Sequence, residues 1–96
     1  MKIIFAPRVY GQLEDIYSYI AEDDPAAARQ VIAAIRAGID RFELRPLSGR
    51  PWEGQTRRIL SIPKYRYLIY VDVDQEAETV EVLNVWHMSR LPPDFL

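Results

Sequence analysis

The 96-residue chain has no cysteine and one histidine, His87. A disulfide framework and a thiolate zinc site are therefore excluded, and one imidazole cannot build the histidine cluster of a catalytic metal centre. Glycine is scarce, at four residues. Gly49 and Gly54 stand alone, with no Gly-Lys-Ser/Thr after them, so no phosphate-cradling loop is present. No apolar run approaches the length of a membrane span. The opening Met1-Lys2-Ile3-Ile4-Phe5-Ala6-Pro7 is too short in its apolar part for a signal peptide. The expectation is a soluble cytoplasmic protein with no metal, cofactor or membrane partner. A single domain over residues 1–96 follows from length, and 49% hydrophobic with 27% charged residues is globular make-up rather than disorder.

Charge is nearly balanced overall but not along the chain. Twelve Lys+Arg against fourteen Asp+Glu give −2. Residues 41–66 hold seven basic residues (Arg41, Arg45, Arg50, Arg57, Arg58, Lys64, Arg66) against Glu43 and Glu53, a surplus of five. Residues 72–81 hold five acids and no base. Such a basic block can be a docking surface for an acidic partner or a polyanion, or simply a solvated face.

Lys2–Phe5 is a β-branched run that suits a first strand. Pro7 can open a helix, although Ala6 is a weak cap. Val9, Leu13, Ile16, Tyr17 and Ile20 then recur at helical spacing, with Gln12, Glu14, Asp15 and Ser18 on the other side. Asp24-Pro25 ends that helix and caps a second one, Ala26 to about Leu44, striped by Ala28, Val31, Ile32, Ile35, Ile39 and Phe42. So short a link makes the two helices antiparallel neighbours. Residues 45–54, with two prolines and two glycines, are expected to be a loop. The period then becomes two, giving strands at Arg58–Ile62, Tyr65–Val73 and Thr79–His87, the last placed centrally. An irregular tail follows from Pro92. The expected fold is α+β, ordered β-α-α-β-β-β, an antiparallel sheet with the helical hairpin packed on one face.

Three groups could carry chemistry. Arg57, Arg58 and Arg66 could bring guanidinium groups to one face and hold phosphates or carboxylates, or could be ordinary surface charge. His87, with Arg90 nearby, has a side chain suited to proton transfer near neutral pH, or is a strand-end residue bonded to backbone. Trp52, Tyr65, Tyr67, Tyr70 and Trp86 could stack on bases, or could be sheet core.

The order Leu13-Glu14-Asp15-Ile16-Tyr17-Ser18-Tyr19-Ile20, Asp24-Pro25-Ala26-Ala27-Ala28, Pro46-Leu47-Ser48-Gly49-Arg50-Pro51, Tyr65-Arg66-Tyr67-Leu68-Ile69-Tyr70 and Val82-Leu83-Asn84-Val85-Trp86-His87 resembles the RelE/ParE superfamily of type II toxin–antitoxin toxins. Within it the chain is more similar to the ParE branch, associated with plasmid stabilisation. The resemblance implies one of two activities. ParE-like members poison DNA gyrase by binding and are not enzymes. RelE-like members are ribosome-dependent mRNA endonucleases, for which the matching residues here are Arg58, Arg66 and His87. The lysine-rich second strand of the nuclease type is absent, since Ile59, Leu60 and Ile62 fill it, and no Tyr follows His87. The gyrase reading therefore leads, with the ribosome and its mRNA as the alternative target. Either implies a ParD-like antitoxin. Its acidic, apolar tail is expected along the hairpin and residues 45–58, with Arg50, Trp52, Arg57, Arg58, Arg66, His87 and Arg90 as the antitoxin- or target-binding candidates.

Overall fold

The computed structural model of the protein describes residues 1–52, 54 and 56–90, so the expected irregular tail from Pro92 lies outside them. The elements run β1 (Lys2–Phe5), α1 (Pro7–Ala21), α2 (Pro25–Leu44), β2 (Arg50–Pro51), β3 (Arg57–Ile62), β4 (Tyr67–Asp74), β5 (Thr79–His87) and a one-turn 3-10 helix, η1 (Met88–Arg90). Asp24 caps α2 as its sequence implies: the carboxylate accepts from the Ala27 N–H at 3.1 Å, and Pro25 takes the first helical position. Ala6 offers α1 no side-chain cap. Among the described residues no helix is long and apolar enough to cross a membrane.

The sheet order is β1-β5-β4-β3-β2. It is antiparallel from β5 through β4 and β3 to β2, but β1 lies parallel to β5, with Lys2 opposite Thr79 and Phe5 opposite Val82. The expected antiparallel sheet is thus present from β2 to β5, and the parallel β1 makes the whole sheet mixed. The cause is connectivity. The helical hairpin leaves from the end of β1 and returns the chain to the far edge, so β1 reaches the sheet only beside the last strand. A correction concerns residues 45–54. They contain β2, a two-residue edge strand whose Arg50 pairs with Ile59 and whose Pro51 pairs with Arg58. Proline is tolerated there because an edge strand has an unused hydrogen-bonding side.

The helices cover one sheet face. Alternation along β4 sends Tyr67, Ile69, Val71 and Val73 toward them, where they meet Val31, Ile35, Ile39 and Phe42 of α2 and Val9 of α1. Gly38 lets α2 settle closely, since a Cβ there would fall 2.6 Å from Ile62 Cδ1. The opposite face carries a smaller cluster, Ile59, Leu68 and Tyr70, with Trp52, Leu83, Trp86 and Met88 packed against it.

Two residues of α1 lie where the helical stripe did not put them. Tyr17 is exposed rather than core. Gln12 is half-buried against β5 rather than solvated. For Gln12 the reason is a bulge: Tyr70 pairs with Asn84 but Val71 pairs with Val82, which leaves Leu83 as an extra residue in β5. Gln12 fills the irregularity. Its Oε1 accepts from the Val85 N–H at 2.8 Å and its Nε2 donates to Asn84 Oδ1 at 3.1 Å. Arg8 Nε donates to the Leu83 carbonyl at 2.8 Å. Backbone groups freed by the bulge are thereby satisfied from α1.

Candidate functional site

The seven candidate residues fall at two ends of the sheet. Arg50, Trp52, Arg57 and Arg58 stand at one end. Arg66, His87 and Arg90 stand at the other. In register, Arg58 lies opposite Val71, whereas Ile62 lies opposite Tyr67 and Tyr67 opposite His87. The step from Arg58 to Ile62 is about 13 Å at the ordinary strand rise.

At the first end the positive charge is largely engaged. Arg58 donates from Nε to the Ser48 carbonyl at 3.0 Å and from Nη2 to the Gly49 carbonyl at 3.2 Å. It therefore pins the 45–49 loop to β3. Ser48 itself closes a local turn, its Oγ donating to the Arg45 carbonyl. The Arg57 guanidinium lies 5.8 Å from the Trp52 ring, and Trp52 in turn tilts against Tyr70 at 5.0 Å. Arg57 also sits opposite Asp72 in the ladder. A cleft of about 590 Å3 opens here, but Asp72, Asp74 and Glu76 share its walls with Arg58. The basic and acidic blocks of the sequence are thus folded side by side, which disfavours a polyanion at this end.

At the second end Arg66 is not on a strand. It closes the turn at residues 63–66, with φ 62°, and its carbonyl accepts from the Met88 N–H at 2.7 Å. The expected strand from Tyr65 is corrected to one beginning at Tyr67. That contact sets η1 beside the turn and brings Arg90 over the Tyr19 ring at 5.4 Å. His87 packs edge-on against Tyr67, ring centres 5.0 Å apart. Its Nδ1 accepts from the Ser89 N–H at 3.1 Å and lies 2.7 Å from Ser89 Oγ.

A groove of about 410 Å3 runs between α1 and this end of the sheet. Gln12, Asp15, Ile16 and Tyr19 form the helical wall, and Tyr67, Val85, Trp86, His87, Ser89 and Arg90 form the other. Gln12, Asp15, Tyr19 and Ser89 were not among the sequence candidates. A signal for the helical four existed: positions 12, 15, 16 and 19 have the i, i+3, i+4, i+7 spacing of one helix face. What the sequence did not disclose is that β5 and η1 complete the groove. On the outer face, Trp86 Nε1 is buried with no hydrogen-bond partner among the described residues.

Burial raises the Tyr67 hydroxyl above its usual pKa of 10.0, with Arg90 pulling the other way and Tyr19 adding to the rise. Burial likewise raises Tyr70, opposed by Arg50. In the unfolded chain both ionise first. Tyrosine-linked stability is therefore fully present below about pH 10 and is lost as pH rises through the higher folded values. We expect urea midpoints of the wild type to fall in that alkaline range. A Tyr67→Phe, Tyr70→Phe double variant should lose most of that tyrosine-linked slope, and an unchanged slope would contradict the assignment.

Comparison with known proteins fits this architecture. The chain matches the family model described as ParE toxin of type II toxin-antitoxin system, parDE, over residues 3–92. It is 33% identical over 95 residues to the Sinorhizobium fredii protein named "Putative toxin Y4kP", covering 99% of this chain and 96% of that one. Its fold is similar to a solved structure of the chromosomal ParDE TA system from P. aeruginosa, with a TM-score of 0.76, 18% identity, and coverage of 91% of this chain and 95% of that chain. The chain belongs to the ParE family of toxins of type II toxin–antitoxin systems.

Proposed function

We propose that the protein poisons DNA gyrase by binding and is held inactive by a ParD-like antitoxin. The observation that supports binding over cleavage is the separation of the basic residues. RNA cleavage through a 2′-hydroxyl needs charge stabilisation and proton transfer at one phosphate. Arg58 is engaged with loop carbonyls and lies about 13 Å along the strands from His87. His87 Nδ1 is engaged by Ser89. The competing reading, a ribosome-dependent endonuclease, draws on the grouping of Arg66, His87 and Arg90 at the second end.

One paired assay separates them. Purified toxin is added to gyrase, plasmid DNA and ATP, and in parallel to a reconstituted translation reaction with labelled mRNA. Linear DNA recovered after detergent and protease, with intact mRNA, is the expected result. Normal supercoiling at saturating toxin, together with mRNA cut inside ribosomes, would overturn the gyrase assignment.

A further inference from the structure

The end of α2 carries the most exposed large apolar side chain among the described residues. Leu44 is 87% exposed, and Leu47 in the loop after it is 57% exposed. The other exposed large apolar residues are Ile4 and three tyrosines, and a tyrosine presents a hydroxyl to water. Exposed arginines are spread over the whole surface, so the leucines rather than the charge single out this end. The loop is held in place: Arg58 bonds the Ser48 and Gly49 carbonyls, and Ser48 Oγ bonds that of Arg45. Beside the leucines lies the cleft of about 590 Å3, to which Leu47 and Val73 give apolar lining and Asp72, Asp74 and Glu76 give negative charge. Arg41 and Arg45, both exposed, flank Leu44. Among the described residues no side-chain ion pair joins the basic and acidic blocks; the one pair present is Arg36 with Asp40.

From this juxtaposition we infer that the end of α2 docks a second copy of the chain, related by a two-fold axis near Leu47. Leu44 and Leu47 of each copy enter the cleft of the other, and Arg45 meets Asp74 and Glu76 across the axis. One patch carries both the knob and the recess, and both signs of charge. It is therefore complementary to itself, which is what a two-fold contact requires. A nucleic acid would meet the acids of the cleft, and a partner of one dominant charge would be repelled by half of the patch. Removing Leu44 from water supplies the attraction, and the charges fix the register. The groove between α1 and β5 lies at the other end of the sheet and stays open in each copy. Two leucines and one cleft are small beside the roughly 800 Å2 per partner of a standard interface, so the association belongs in the micromolar range.

The test is sedimentation velocity of the purified toxin from about 1 to 500 μM, a range that brackets micromolar association. The wild type should show a monomer–dimer equilibrium. Leu44→Ser should raise the dissociation constant about tenfold or more, since each copy loses a leucine buried by the contact. It should leave the melting temperature of the dilute protein nearly unchanged, because Leu44 is exposed in the monomer. Arg45→Glu and Glu76→Lys should each weaken the dimer, and the Arg45→Glu, Glu76→Lys double variant should return to within about threefold of the wild type. A wild type that stays monomeric throughout would overturn the proposal. So would a dimer indifferent to Leu44→Ser, or a double variant no tighter than its weaker single variant. A monomeric wild type whose Leu44→Ser variant loses affinity for the product of the neighbouring open reading frame would give the leucines to the antitoxin and overturn the second copy as occupant.

Discussion

Phe42→Ala is expected to destabilise the protein by about 3–5 kcal/mol. Phe42 is fully buried near the end of α2, within the core between the helices and the sheet. Truncation removes the ring's transfer energy and leaves a cavity that the surrounding core side chains cannot close, because helix and sheet are fixed by their own backbone bonds. A domain of this length has a total stability of roughly 5–14 kcal/mol, so the variant would sit near the unfolding threshold. The melting temperature should fall by about 12–40 °C at some 4–8 °C per kcal/mol. Urea titration followed by the fluorescence of Trp52 and Trp86 measures it, with Phe42→Leu as the milder control. A loss below about 1 kcal/mol would show that the hairpin is not seated on this ring.

The second large effect belongs to Gly49. Its φ is +76°, and a Cβ there would fall 2.4 Å from the Ile59 carbonyl oxygen. The obstacle is backbone, so it cannot swing aside. The left-handed conformation costs an alanine about 1–2 kcal/mol, and relieving the clash requires β2 to leave β3. We expect Gly49→Ala to lose about 2–4 kcal/mol in all. Gly49→Asn, which tolerates positive φ but still carries a Cβ, should recover little of it. Hydrogen exchange localises the damage: the Trp52 N–H, bonded to the Arg57 carbonyl at 3.0 Å, should lose its protection. Intact protection in Gly49→Ala would refute this account.

Much of the fold was legible because its signals are local. Asp24-Pro25 marked the helical boundary, and the apolar stripe of α2 gave its buried face. The alternation of β4 assigned Tyr67 and Tyr70 to opposite sides. What failed was decided by distant partners. β2 is two residues long and exists only because β3 lies beside it. Arg66 reads as strand by composition, yet Pro63 and the Met88 contact hold it in a turn. Gln12 looks solvated until the extra residue in β5 creates polar groups for it to meet. The candidate site suffered most from this. His87 and Arg90 were visible in the sequence. Their grouping with Tyr19 and Asp15 depends on which strand α1 crosses, and no residue pattern within α1 reports that.

The parallel pairing of β1 with β5 has a consequence for synthesis. The opening strand has no partner strand until Thr79–Val82 has left the ribosome. The helical hairpin can form early, but half of the groove wall arrives with the closing strand and η1. A chain cut short before β5 therefore carries the hairpin without the partner strand of β1 and without the β5 wall of the groove.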